Sequence, residues 1–192
     1  MTSSKRRRGL VPLLALIVTA SATAAEGPFE PFIGNGEKGS FELEDVKLSE
    51  LAGHEVAYTI DYTRWLPEGE GNGRAVLYTH GLQSHRGWFN ATAQWLADRG
   101  FVVYAFDRIG SGTSSEGLSW KGGEAVGARG HVSDWRLFLD TIDEVLERIR
   151  SQPPGVSVYL WGNSYGGKVV TAFLFERPGR LAELGVAGAV FT

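Results

Sequence analysis

The chain has 192 residues, 43% of them hydrophobic and 21% charged, with a formal net charge of -3; this is the composition of one globular domain large enough to bury a core. It contains no cysteine, which excludes disulfides, thiolate metal sites and anchoring through a lipidated cysteine. Four basic residues are gathered at Lys5 to Arg8, so the rest of the chain is more acidic still and offers nothing to a nucleic acid or another polyanion.

The first segment joins that basic cluster to an apolar run, Leu10 to Ala20, and to the small residues Ala22-Thr23-Ala24. The pattern matches a secretory signal peptide over residues 1–24, cleaved near Ala24 or Ala25, and implies a secreted or periplasmic protein with no stable membrane span after cleavage. The apolar run is too short to cross a bilayer comfortably, and an uncleaved N-terminal anchor is the alternative. Arg7-Arg8-Gly9-Leu10-Val11 also loosely resembles a twin-arginine export signal. Residues 25–40, rich in glycine and proline and without periodicity, read as an exposed linker.

From residue 41 the chain reads as regular structure. Phe41 to Val46 and His54 to Tyr62 alternate apolar and polar residues about Gly53, which predicts an antiparallel pair at a sheet edge with His54 at a strand entry. Arg74 to Thr79 and Phe101 to Phe106 are continuous apolar strands, and Trp88 to Arg99 between them has helical spacing at Phe89, Ala93 and Leu96. Ser133 to Arg150 predicts an amphipathic helix with Trp135, Phe138, Leu139, Ile142, Val145, Leu146 and Ile149 on one stripe, started by Ser133 and Asp134 and stopped by Pro153-Pro154. A strand at Val156 to Trp161, a helix from Gly167 to Glu176 and a strand at Val186 to Phe191 complete the alternation. No internal repeat interrupts it. The pattern predicts a doubly wound α/β fold, a mostly parallel sheet behind an antiparallel edge. Ligands bind such sheets where the loops after the strands gather, here Thr79 to Trp88, Asp107 to His131 and Gly162 to Gly166.

One of those loops carries a chemical pattern, Gly162-Asn163-Ser164-Tyr165-Gly166-Gly167. Gly-x-Ser-x-Gly between a strand and a helix is the nucleophile elbow, a strained turn that lifts one serine hydroxyl above the sheet. In a chain with Gly 26 the five-residue pattern arises easily by chance, so the flanking strand and helix carry the assignment of Ser164 as nucleophile. Acyl transfer also needs donors for an oxyanion. The N–H of Tyr165, next after the nucleophile, fills one position, and Leu82 fills the other if Gly81 lets its loop turn.

The remaining polar residues have simpler readings. His80 and His85 shape that loop by bonding to backbone rather than acting as bases. Asp107 accepts backbone N–H bonds in the glycine turn that follows it. Gly110-x-Gly112 lacks the third glycine and immediate helix of a dinucleotide site, and no cofactor is implied. Trp88, Trp95, Trp120 and Trp135 line an apolar pocket or pack in the core, with the core the default for Trp95 and Trp135. Arg108, Lys121, Arg129 and Lys168 read as solvated surface, and no ligand cluster supports a metal.

Taken together, His80-Gly81-Leu82-Gln83-Ser84-His85, the turn Asp107-Arg108-Ile109-Gly110-Ser111-Gly112-Thr113-Ser114, the helix entry from Val132 to Asp140 and the elbow itself resemble the α/β-hydrolase family. The resemblance runs from about Phe41 to Thr192 and is to the monoacylglycerol lipase, lysophospholipase and serine-aminopeptidase-like branch. Asn163 and Tyr165 depart from the histidine and methionine common around the serine there, which bears on the substrate rather than the fold. The resemblance implies a serine hydrolase that cleaves a small-molecule acyl ester or lipid, such as a monoacylglycerol or lysophospholipid, through an acyl-enzyme on Ser164. An aminopeptidase or amidase is the nearest alternative; a catalytically inactive relic or binding protein is an alternative of another class. Serine at the elbow disfavours the haloalkane dehalogenase and epoxide hydrolase branches, which place aspartate there.

In this fold the acid and the histidine follow the nucleophile in sequence, whereas His54, His80, His85 and His131 all precede Ser164. The resemblance therefore implies the N-terminal part of a larger hydrolase, C-terminally incomplete and inactive by itself, with its cap, acid and histidine further on and an unpaired apolar edge at Val186 to Phe191. A rearranged site using His131 is the rival. Oligomeric state is not assigned.

Overall fold

A computed structural model describes residues 36–128, 130–151 and 155–192. The segment read as a signal peptide, linker residues 25–35, Arg129 and the expected helix stop at Pro153-Pro154 lie outside the described residues.

The antiparallel edge is formed by β1 (Glu37–Glu44) and β2 (Ala57–Trp65), paired from Glu37↔Arg64 to Glu44↔Ala57. Regular structure thus begins at Glu37, inside the stretch read as linker. Gly39 makes this pairing fit, because a Cβ there would run into the Tyr62 ring across the ladder; a glycine that looks like loop composition is room for a cross-strand aromatic. The link between the strands holds α1 (Val46–Ala52), which periodicity does not reveal because it buries only Leu48. Its ends are nonetheless well specified: the Asp45 carboxylate accepts from Leu48 N at 3.0 Å, and Gly53 closes it in the left-handed region at φ 71°.

The alternation then proceeds through β3 (Arg74–Thr79), a 3-10 turn at Arg86–Phe89, α2 (Asn90–Ala97) and β4 (Val102–Phe106). A hairpin of β5 (Leu118–Lys121) and β6 (Glu124–Gly127) follows, turning at Gly122 and Gly123. Next come α3 (Leu137–Arg150), β7 (Ser157–Gly162), α4 (Tyr165–Glu176), α5 (Pro178–Glu183) and β8 (Val186–Phe191). The main sheet has the order β1-β2-β4-β3-β7-β8, parallel from β4 to β8 and antiparallel at β1 and β2. This is the expected doubly wound architecture.

Alternation along the central strands divides the core. Leu77, Tyr104, Phe106 and Leu160 face α3 and α4, meeting Leu139, Ile142, Leu146, Val170 and Phe173. Val76, Tyr78, Val103 and Ala105 face the other way onto Phe89, Ala93 and Leu96. The α3 helix starts at Leu137, later than its expected caps, for a physical reason: the Ser133 hydroxyl is taken by buried Asp45, and Asp134 Oδ1 accepts from Arg136 N at 2.9 Å in a preceding turn. Trp135 therefore falls off the buried stripe and is 41% exposed. In register, Thr79 lies beside both Phe106 and Gly162, so the loops after β3, β4 and β7 leave the sheet at one level. No helix among the described residues is long and apolar enough to cross a membrane.

Candidate active site

Two residues, Asn163 and Ser164, turn the chain from the end of β7 into α4. The turn leaves Ser164 at φ 50° and ψ -113°, exposed, in a region L-residues avoid, at a cost of about 1–3 kcal/mol. Neighbouring glycines make it sterically feasible. A Cβ on Gly162 would lie 2.5 Å from Gly167 Cα, and one on Gly166 would collide with the carbonyl oxygens of Thr79 and His80. The Ser164 amide donates to Thr192 O at 2.7 Å, and Gly167 N donates to Ser164 O at 3.0 Å. As first residue of α4, Tyr165 has a backbone N–H that no carbonyl of its own helix can accept, at the positive end of the helix dipole.

The facing loop begins at His80, which is fully buried. Its Nε2 lies 3.1 Å from the Arg108 backbone N–H and must accept, so Nδ1 carries the proton and donates to Gly81 O at 2.8 Å. Burial, reinforced by the Arg108 charge, pushes the ring pKa down to about 4. With both nitrogens committed, His80 is unavailable as a base. Leu82, the other expected oxyanion donor, is exposed at 67%. Among the described residues neither its amide nor that of Tyr165 has an acceptor. Close approach of this loop to the elbow depends on Gly81, where a Cβ would come within 3.0 Å of Asn163 Oδ1 and 3.3 Å of Ser164 Cβ.

Asp107, buried at the end of β4, accepts from Arg86 N at 2.7 Å and from Thr113 N at 3.0 Å. It also forms an ion pair with the Arg86 guanidinium, whose Nε donates to Thr63 Oγ1 at 2.9 Å. Ser114 ties the same turn to the sheet, donating to Asp107 O and accepting from Asp61 N. Arg86 is thus a structural partner that the sequence reading did not single out; a carboxylate ending a buried strand signals a need for a cation without naming which. Arg108 corrects an expectation outright. Read as solvated surface, it is only 4% exposed, donates from Nη2 to Gly81 O at 2.8 Å and lies over the rings of Tyr165 and Phe138. It is enclosed where the loops after β3 and β4 meet, between Gly81 O and the rings of Tyr165 and Phe138.

The other singled-out residues lie apart. His85 caps the 3-10 turn, accepting from Gly87 N, and His54 and His131 are exposed. None of the four histidines bonds to the Ser164 hydroxyl. Lys121 and Lys168 are exposed as expected, Trp120 is half-buried, Trp88 is 76% exposed, and Trp95 is exposed beneath Arg99 rather than in the core. Among the described residues no cluster of His, Cys, Asp or Glu could hold a metal.

Two hollows flank the elbow, with no lining residue in common. A cleft of about 720 Å³ is lined by Leu82, Arg108, Ile109, Val132, Phe138 and Tyr165. Ser164 itself opens onto a shallower one of about 450 Å³ with Lys168, Thr171, Phe191 and Thr192. The cleft is mostly apolar with a cation, Arg108, in its wall.

The profile of the serine aminopeptidase S33 family matches residues 72–192. Monoglyceride lipase of Homo sapiens is 29% identical over 119 residues, covering 62% of this chain and 35% of that protein. Monoacylglycerol lipase of Mycolicibacterium smegmatis is 28% identical over 129 residues, covering 67% and 42%. The chain therefore spans between a third and a half of the length of these relatives. Among solved structures, a soluble variant of monoglyceride lipase from Saccharomyces cerevisiae in complex with a substrate analog superposes with a TM-score of 0.61 at 16% identity, over 87% of this chain and 47% of that one. The motif loops, sheet order and family match agree, and the chain belongs to the serine aminopeptidase S33 family, with the α/β-hydrolase fold.

Proposed function

We propose that this chain carries the nucleophile and oxyanion-binding parts of an exported serine hydrolase acting on carboxylic esters of the monoacylglycerol or lysophospholipid kind. The observation that carries the reading is Ser164 in a left-handed turn at the start of α4, facing a loop whose Leu82 amide has no acceptor among the described residues. Ser164 Oγ attacks the ester carbonyl carbon, and the Leu82 and Tyr165 N–H groups receive the oxyanion. The C–O bond then breaks, the alcohol leaves with a proton, and water hydrolyses the acyl-enzyme. Removing the Oγ proton requires a base that His54, His80, His85 and His131 do not supply in this arrangement. Similarity to monoglyceride lipases supports the ester and the apolar acyl group, while the family description favours amide hydrolysis as a second reading. Export rests on the basic, apolar and small-residue order of residues 5–24.

The test uses the full encoded protein with an alkyl fluorophosphonate, a monoacylglycerol and an aminoacyl anilide. Labelling at Ser164 with fatty-acid release, both abolished by Ser164→Ala, is the expected result. Anilide cleavage alone selects the amidase. Absence of any Ser164 labelling overturns the hydrolase and leaves a binding protein.

A further inference from the structure

Every peptide bond among the described residues is trans, so the N–H of Leu82 points opposite to the C=O of Gly81. Gly81 O is held from one side by two donors, His80 Nδ1 and Arg108 Nη2, each at 2.8 Å. Fixing the carbonyl therefore fixes the amide. With its oxygen turned inward to the buried imidazole and guanidinium, the peptide can only aim the Leu82 N–H outward, away from them.

Arg108 is an unusual choice for this task. The nearest carboxylate, Asp107, is already matched by Arg86. Among the described residues Arg108 has no ion pair, and its Nε is buried without a partner. A buried cation lacking its anion is costly unless the site uses the charge. The guanidinium also lies over the ring of Tyr165, the residue whose amide is the second donor, with 4.9 Å from its carbon to the ring centroid, and it lines the 720 Å³ cleft. Among the described residues no carboxylate lines that cleft.

We propose that Arg108 is a positioning residue for acyl transfer: it clamps the Gly81–Leu82 peptide so that the Leu82 N–H faces the developing oxyanion, and its charge, which no direct ion pair neutralises among the described residues, favours negative charge at that spot. This rests on the ester-hydrolase reading for its catalytic consequence, though not for the clamp itself. A clamp acts on the transition state more than on the bound ester. Arg108→Gln should thus lower kcat by ten-fold or more for a neutral short-chain ester, slow Ser164 phosphonylation comparably and leave KM within two-fold. Arg108→Lys, which keeps a charge and a donor able to reach Gly81 O, should recover much of the rate.

The clamp is also read without turnover, from the Leu82 amide resonance in the ¹H–¹⁵N spectrum of the same full protein. In folded Arg108→Gln that resonance should shift and broaden or split as the peptide samples the reversed orientation. A Leu82 resonance unchanged by Arg108→Gln overturns the proposal, whatever happens to the rate. So does a rate effect confined to KM, which would make Arg108 a reader of substrate charge. If the Leu82 resonance responds but wild type and Ser164→Ala are equally inactive and unlabelled, the clamp stands and the hydrolase reading falls.

Discussion

On one side of Ser164 the loops after β3 and β4 are cross-tied by buried bonds from His80, Arg86, Asp107 and Arg108. On the other, the end of β8 meets the elbow through the backbone and hydroxyl of Thr192, with Val190 and Phe191 exposed beside it. The first wall spends several buried polar groups on holding one peptide and one turn; the second spends almost none. On the proposed reading, the difference separates two requirements of acyl transfer. Oxyanion donors must be rigid before the substrate arrives, whereas a nucleophile needs a base, and that base is absent from the second wall as described.

The comparison can be broken most directly at Asp107. Asp107→Ala leaves the Arg86 guanidinium buried without its anion, and chemical denaturation should show a loss of about 3–5 kcal/mol. A loss under 1 kcal/mol would mean the cross-tied wall is not cooperative.

The next largest effect comes from acidification. The folded pKa of His80 lies near 4, below its ordinary 6.5, so between those values the unfolded chain binds the extra proton and stability falls as pH falls. His80 should account for a loss of about 2 kcal/mol between pH 7 and pH 5, with that stability present above pH 6.5 and its loss complete below pH 4. Denaturation midpoints of wild type and His80→Asn compared at both pH values isolate the effect, since other groups titrate in both proteins. Equal pH slopes would refute it.

Smaller effects probe the proposed nucleophile, Ser164. At φ 50° a glycine is unstrained, so Ser164→Gly should be about 1 kcal/mol more stable than Ser164→Ala, with both unable to react with a fluorophosphonate. The least effect is expected at His131: exposed and unbonded to Ser164, its replacement by alanine should change stability by less than about 0.5 kcal/mol and leave phosphonylation unchanged. A substantial loss of labelling would instead place His131 in the second wall as the base.

Continuous apolar runs located β3, β4 and β7 to within a residue of their observed bounds, because strands covered on both faces leave little choice of composition. The α1 helix and the β5–β6 hairpin left no such signature: one buries a single residue, and the other has none of its eight residues buried. At the site, the elbow and the loop at 80 were legible from glycine spacing. Arg86 and Arg108 were not, since arginine is ordinarily a surface residue and only the meeting of two loops distant in sequence encloses it.

The placement of β3 between β4 and β7 bears on how the protein is made. Pairing with β4 is available early, but the partner for the other edge of β3 begins roughly 80 residues later, at Ser157, an interval of roughly 4–16 s at ordinary rates of synthesis. Until β7 emerges, one edge of Ala75-Val76-Leu77-Tyr78 offers unpaired backbone to any neighbouring strand. Chains ending between β4 and β7 therefore lack the partner that covers this edge.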